Sequence, residues 1–556
     1  MGGGLIQLVA YGAQDMFLTG NPQITFFKSV YRRHTNFSIE SIRQTLTGTK
    51  NFNGKMEGNI SRNGDLIHRM YLQIKLPQID LTDGLTDEYY IAFRWLNWIG
   101  HVLLKNVSIT IGGQEIDKHT GEWLHLWNEM TQKAEKGEAY AEMVGNVPRL
   151  TQIHSGHKKT GVDRTSCIVD DYTLYIPLQF WFNRHIGLAL PMIALQYHDV
   201  VVNIELEELN NCIWATLQSS STDYATKTGA NVFRDTNTTT TPTLDSVELY
   251  VDYIFLDTAE RKRFAQVAHE YLIERVQNKS TTVISSGSTT ATVTLNSLSH
   301  PVKELVWVVQ ANSFVDNDYT QSRAGRQVFN YTDAFDYSGF SGTPEGYWGP
   351  GMKGGRSAQN FWHGLPTVKV EGLLNSSNAF ANTTTGVTDA TAGYNDVSDY
   401  TPSDGSVNTY ENRYMEDLLG PALAQPISGN STGLWSATSN NLQILDNGKN
   451  PTSTAKLVLN GNDRFSEREG FYFNVVQPFQ THTGQPAPGI NVYSFSLKPE
   501  DYQPSGTCNF SRIDSAELSL SLSTNIQSFT SKARVYALSY NILRIMSGMG
   551  GLAYSS

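Results

Sequence analysis

Apolar and polar residues alternate along much of this 556-residue chain. Val202, Ile204 and Leu206 alternate with Asn203, Glu205 and Glu207. Val247, Leu249, Val251, Tyr253 and Phe255 alternate with residues that include Glu248 and Asp252, and Leu518, Leu520 and Leu522 with Ser519, Ser521 and Ser523. A period of two buries one face of an antiparallel sheet and wets the other. Helical periodicity is scarce. Its densest run, Ala92 to Lys105 with Phe93, Trp95, Leu96 and Ile99, fits either a helix or a buried strand with a bend. The pattern predicts an all-β chain with short helices.

A weak internal repeat divides the chain. Asn21 is placed to cap a helix beginning at Pro22 and presenting Ile24, Phe27 and Tyr31, followed by a strand with Phe37 and Ile39. Asp257 with Glu260 makes a capping box before Arg261, Phe264, Val267 and Ala268, and a strand follows through Tyr271, Ile273 and Val276. Each passage carries a histidine (His34, His269) between helix and strand. Two copies of one β unit give this pattern; two similar helix-strand joints arising by chance also give it. The expected division is an N-terminal arm at 1–20, a first β unit at 21–217, a polar linker at 218–244 and a second β unit at 245–556. Within the second unit, 311–454 is rich in Gly, Asn, Ser, Thr and Tyr without sustained periodicity, which predicts large surface loops.

Composition narrows the class. Charged residues are 17% and aromatics 11%, as in folded proteins, and 46 Gly against 19 Pro suits a turn-rich β protein. The net charge of −11 argues against a basic face that wraps nucleic acid, so no direct nucleic-acid partner is expected. On charge alone, an acidic protein of no particular partner is the simpler reading. Cys167, Cys212 and Cys508 are too few and too scattered for a disulfide framework or a zinc site, and read as buried thiols of a reducing compartment. No apolar run approaches the roughly 18 residues of a membrane span. Gly2 could be myristoylated, but Ile6 stands where Ser or Thr is wanted.

No catalytic constellation emerges. His154-Ser155-Gly156-His157 lacks further metal ligands and reads as a solvated loop. His269-Glu270 begins like a zincin motif, but Ile273 removes the second ligand. Gly429-Asn430-Ser431-Thr432-Gly433 has the spacing of a nucleophile elbow without the strand and helix it needs. Glu207-Glu208 and Asp170-Asp171 read as solvated faces. The chain is expected to be no enzyme, with no cofactor and no metal.

Motifs distributed along the chain resemble the major capsid proteins of nucleocytoplasmic large DNA viruses, nearest the algal-virus and mimivirus-like branches. They include Gly2 to Asp15, Leu18 to Phe27 and Tyr31 to Phe37. They continue through Ile60-Ser61-Arg62-Asn63-Gly64-Asp65-Leu66-Ile67, Ile111-Gly112-Gly113-Gln114-Glu115-Ile116-Asp117-Lys118-His119 and Gly187 to His198. Val251 to Thr258, Arg263 to Gln266, Leu459-Asn460-Gly461, Pro504 to Asp514 and Tyr540 to Tyr554 complete the set. The resemblance implies two tandem eight-stranded jelly-roll β-sandwiches, a double jelly roll, with long loops in the second. It implies homotrimeric capsomers of pseudo-hexagonal outline in the outer icosahedral shell of a large dsDNA virus, assembled in the host cytoplasm. Neighbouring capsomers, minor capsid and penton proteins are the implied partners, with internal membrane-associated proteins and a host surface as further contacts.

On that reading Leu5, Leu8, Tyr11 and Asp15 belong to an assembly arm. Lys28, Arg32, Arg33 and Arg43 form either an inward basic patch or local salt bridges within a trimer, two readings of equal weight. Asn330, Asn375, Asn382 and Asn430 are the better-placed glycosylation sequons, though cytoplasmic assembly bypasses the usual machinery. The alternative function is a carbohydrate-binding or carbohydrate-cleaving β-sandwich, whose stacking platforms the 10 Trp and 27 Tyr would supply.

Overall fold

The alternating segments form strands, and the strands close two sandwiches. The computed structural model describes residues 3–81, 89–151, 154–158, 167–219, 227–228, 232–233, 241–315, 326–333 and 449–554. In the first unit one antiparallel sheet runs in the order Phe37–Gln44, Ser246–Leu256, Leu66–Leu76, Tyr172–Pro177. Its partner runs Leu46–Gly48, Lys55–Asn59, Val200–Leu206, Leu104–Ile111, Gln114–Thr120. A smaller sheet containing Tyr89–Trp95 and Ile213–Ser219 adds Trp95 and Trp214 to the same core. The second unit pairs His269–Ile284, Ser531–Met546, Pro301–Ala311 and Ile490–Ser494 in one sheet. Its other sheet holds Thr290–Thr294, Ala516–Leu522, Thr452–Leu459 and Asn462–Asp463.

Burial follows the alternation. Val200, Val202, Ile204 and Leu206 are buried with half-buried residues between them, and Leu518, Leu520 and Leu522 are buried in the second core. In Ser246–Leu256 the pairing with Leu66–Leu76 shifts register at a bulge between Val251 and Tyr253. The alternation runs on through it and carries Val247, Leu249, Val251 and Tyr253 into the first core, while Ile254 faces the other way and packs with Leu66 and Ala189.

Several sequence expectations change. Ser246–Leu256 does not open the second unit. It lies inside the first unit's sheet because Val247, Leu249, Val251 and Tyr253 complete that core. No helix follows Asn21, whose φ of 54° is left-handed instead of the extended geometry a capping residue needs. Ile24, Phe27 and Tyr31 are exposed, so a helix there would have no surface to pack on. The N-terminal helices lie upstream instead, at Gly3–Val9 and Met16–Thr19.

Asp257 does cap the helix Thr258–Gln266, accepting from Thr258 N–H at 2.7 Å. Glu260 closes no box, its Oε2 having no hydrogen-bond partner among the described residues. The Ala92–Lys105 run is a strand to Trp95, a bend at Trp98 (φ 58°) and the one-turn helix Ile99–Leu103. The longest helices that were not anticipated are Gly121–Thr131 and Ala134–Val144. Most of 218–244 and of 311–454, with Asn375, Asn382, Asn430 and the 429–433 pattern, lies outside the described residues.

Candidate assembly site

Three of the motifs meet where the two units join. Gly112 and Gly113 make the two-residue turn of a hairpin, with φ of 58° and 82°. A Cβ on Gly112 would come within 2.3 Å of His198 Nδ1, so the glycine admits that ring. His198 Nδ1 in turn lies 2.9 Å from the carbonyl oxygen of Gly550 and 3.2 Å from its nitrogen. Beside it Tyr197 N–H donates to Gly548 O (2.9 Å), and Leu552 N–H donates to Gln114 Oε1 (3.1 Å). The carboxy-terminal hairpin of the second unit is thereby seated on the first. Its Leu543 and Ile545, with Ile273 from the adjacent strand, are buried in the first unit's core.

The helix Gly121–Thr131 of the first unit covers the outer face of the second unit's sheet. Thr120 caps it through Trp123 N–H (3.2 Å). Trp123, Leu126, Trp127 and Met130 pack against Val306, Val308, Ile490, Val492, Tyr536 and Leu538. Burying four such side chains is worth about 1.5–3 kcal/mol each before entropy is counted. Glu122, at the start of the helix, receives hydrogen bonds from Arg534 Nε (2.9 Å), Arg534 Nη2 (2.5 Å), Tyr331 OH (3.0 Å) and Tyr536 OH. Burial opposes charge on Arg534, but the Glu122 carboxylate more than offsets it and holds the guanidinium protonated.

Further polar groups cross the join or lie just behind it in the second unit. Asp117 Oδ1 accepts Val276 N–H (3.1 Å), and its Oδ2 faces His119 Nε2 at 2.9 Å. Burial alone would raise the Asp117 pKa, yet His119 and this hydrogen bond leave it lowered. Arg184 lies over the Trp127 ring at 4.0 Å and donates to Glu274 Oε2 at 2.7 Å. Lys303, wholly buried at a bulge between Val302 and Glu304, reaches Glu274 Oε1 at 2.5 Å and also donates to Pro499 O. Glu304 pairs with His482 at 2.9 Å, and that imidazole outweighs burial to keep the carboxyl low. Each of these carboxylates has a basic side chain within 2.9 Å, which is the condition for burying it.

The arm is the opposite case. Leu5, Leu8 and Tyr11 are exposed, while Asp15 is half-buried and accepts Gly12 N–H at 2.8 Å. Phe17, Leu18, Phe26, Val30 and Tyr31 are also exposed, and Phe27 is 98% accessible. The proposed basic patch is not one cluster. Lys28, Arg32 and Arg33 precede the first strand, whereas Arg43 lies six residues into it, roughly 20 Å along, and pairs with Glu248 at 2.8 Å. Asn330 is half-buried, its amide donating to Gln327 Oε1 (2.6 Å) and its oxygen accepting from Thr332 N–H (2.9 Å). His154 contacts Arg149 O at 2.9 Å, and among the described residues no group of three or more His, Cys, Asp or Glu could hold a metal.

Sequence reading missed Glu122, Arg534, Glu274, Lys303, Glu304 and His482. One signal was available: in Ser531–Met546 both alternating sets, Ala533-Val535-Ala537 and Tyr536-Leu538-Tyr540, are apolar. That strand must be covered on both faces, and Arg534 within it must have a partner.

Two tandem antiparallel sandwiches sharing an apolar seam define a double jelly-roll protein. Residues 25–257 match the family described as the major capsid protein N-terminus, and residues 260–551 the large eukaryotic DNA virus major capsid protein. The chain is 43% identical to the major capsid protein of Phaeocystis pouchetii virus and 36% identical to capsid protein 1 of Acanthamoeba polyphaga mimivirus, covering 100% of each chain in both cases. The quasi-atomic model of the PBCV-1 virus capsid superposes with a TM-score of 0.58 at 29% identity, covering 96% of this chain and 100% of that one. The Faustovirus major capsid protein shares the fold, with a TM-score of 0.59 at 12% identity over 96% of this chain and 94% of that one. The chain belongs to the major capsid proteins of large DNA viruses.

Proposed function

We propose that this capsid protein works as a homotrimeric capsomer that tiles the outer icosahedral shell of a large dsDNA virus. Three chains of two similar sandwiches give six lobes and a pseudo-hexagonal outline, which repeats laterally over a flat facet. The observation that carries the reading is the contrast between seam and arm. The chain buries its internal join with matched charges and leaves a long apolar arm uncovered. Apolar surface of that extent marks a contact with another molecule. The arm, through Leu5, Leu8 and Tyr11, would meet neighbouring capsomers or minor capsid and penton proteins. Lys28, Arg32 and Arg33 would lie on the inward side, toward membrane-associated proteins.

Segments within 311–454 would face outward, toward decorating proteins or a host surface. Free Cys167, Cys212 and Cys508 agree with assembly in the host cytoplasm. The carbohydrate reading has less support: Tyr71 stacks on Tyr250 at 5.1 Å, so one face of each of these rings is turned to the other and not to a sugar. Light scattering and negative-stain microscopy of the purified protein should find trimers of hexagonal outline. Monodisperse monomers under assembly conditions would sink the trimer.

A further inference from the structure

Behind the seam helix lies a polar feature that the assembly reading does not use. His101, on the one-turn helix Ile99–Leu103, and His125, on Gly121–Thr131, are both buried, with ring centroids 5.8 Å apart. His101 Nε2 lies 2.8 Å from Tyr140 OH. Neither Nδ1 has a hydrogen-bond partner among the described residues. Trp98 stacks on His101 (5.9 Å), and Phe329 of the second unit stacks on His125 at 4.1 Å. Phe329 thus lies two residues from Tyr331, whose hydroxyl holds Glu122.

We infer that His101 and His125 form an acid-sensitive latch: acid loosens the Gly121–Thr131 helix from the second jelly roll, weakening the join within each capsid subunit. A neutral imidazole is tolerated in this aromatic pocket, but among the described residues no carboxylate is placed to receive a charged one. Among those residues the titratable and charged groups around it are few. On its own helix, Glu122 is held by Arg534, and Glu129 accepts Ala487 N–H at 3.3 Å. The Ala134–Val144 helix offers Tyr140, its Glu135, Lys136, Glu138 and Glu142 being exposed. From the 326–333 segment, Arg326 is held by Val315 O and Asn211, and Asp333 by Lys449 N–H and Ser523.

The direction of the effect follows from burial, which lowers the His101 pKa to about 3 and that of His125 well below its ordinary value, His101 adding to the latter. Below pH ~6.5 only the opened state binds the two protons, so acid favours opening and neutral pH favours closure. For each histidine the opening constant should rise roughly tenfold between pH 7.5 and 5.5, and for the pair roughly a hundredfold. Hydrogen exchange of the 121–131 amides in the full chain, corrected for intrinsic exchange rates, reads that constant.

The comparison is wild type against His101→Gln/His125→Gln across this range. The Asp117–His119 and Glu304–His482 pairs are present in both proteins and cancel in the ratio. The expected result is a pH dependence about a hundredfold steeper in the wild type. Equal pH dependence in the two proteins overturns the latch. Should the double variant not fold, His125→Gln alone must lose about tenfold of the dependence. The slope is compared, not the absolute stability, so a variant that is merely weaker leaves the test intact.

Discussion

Replacing Glu122 by Gln should loosen the seam. The carboxylate receives two donors from Arg534 (2.9 and 2.5 Å) and the hydroxyls of Tyr331 (3.0 Å) and Tyr536, at a site where both partners are 18% exposed. Glutamine keeps the shape and one acceptor but strands the guanidinium, to which Gln310 Oε1 at 2.5 Å remains the neutral acceptor. Removing one member of a buried pair typically costs 3–5 kcal/mol. Because an amide oxygen remains, the lower end, about 3 kcal/mol, is expected, or roughly 150-fold in the opening constant.

Native-state hydrogen exchange of the Gly121–Thr131 amides measures that constant directly, without requiring a 556-residue chain to unfold in two states. In an Arg534→Met background no cation is left to strand, so the same Glu122→Gln change should cost only about 1 kcal/mol. A coupling near 2 kcal/mol is therefore the signature of the charge pair. If Glu122→Gln costs the same in both backgrounds, to within about 0.5 kcal/mol, the account of this network is wrong.

Trypsin should cut after Lys28, Arg32 and Arg33, all exposed ahead of the first strand, and loss of the arm should move Tm by less than about 2 °C; a loss of many degrees on its removal would show that the arm is part of the core. Gly550→Ala should destabilise by about 1–3 kcal/mol, since its Cβ would lie 2.6 Å from Leu195 Cδ2 in a closed core, and unchanged urea midpoints would contradict the docking described for the carboxy-terminal hairpin. Burial pushes the Cys167 thiol up to about 12 and raises Cys212 further, while Cys508 is half-buried. A thiol reagent at pH 7.5 should thus label Cys508 at most in the native protein and all three after denaturation, and native labelling of Cys167 would refute its placement.

Much of the fold was legible in the chain because strand alternation is a local signal. Val200 to Leu206 and Ala516 to Leu522 are buried at the positions the period of two selects. What could not be read was set by distant partners. Gly121–Thr131 is buried on nearly every side, with Gly121, Trp123, Leu124, His125, Leu126, Trp127, Asn128 and Met130 all inside, so it lacks the polar face that marks an amphipathic helix. At Asn21-Pro22 the local signals agree on a helix start. With no surface nearby to pack against, they were insufficient, and the helix did not form. Ser246–Leu256 reads the same whichever sandwich takes it; only its pairing partners and the fit of its side chains commit it to the first.

The division of labour between seam and arm has an energetic logic. At the seam, entropy is lost once, within one chain, and buried charge pairs add directionality, so the two sandwiches dock in one geometry. The arm, on the proposed reading, would instead be fixed in place at each new contact. Burying Phe17, Leu18, Phe26, Phe27 and Tyr31 on a partner is worth about 10 kcal/mol gross, and ordering about ten residues around them costs a similar amount. On that proposal a single arm contact would be weak and reversible, while a shell would sum many of them around each subunit. Weak contacts let a misplaced subunit leave before the lattice closes over it. The strong seam ensures that what leaves, and what returns, is the same rigid building block. An acid-loosened seam would act on that block itself, not on the contacts between blocks, and would weaken every subunit of the shell at once.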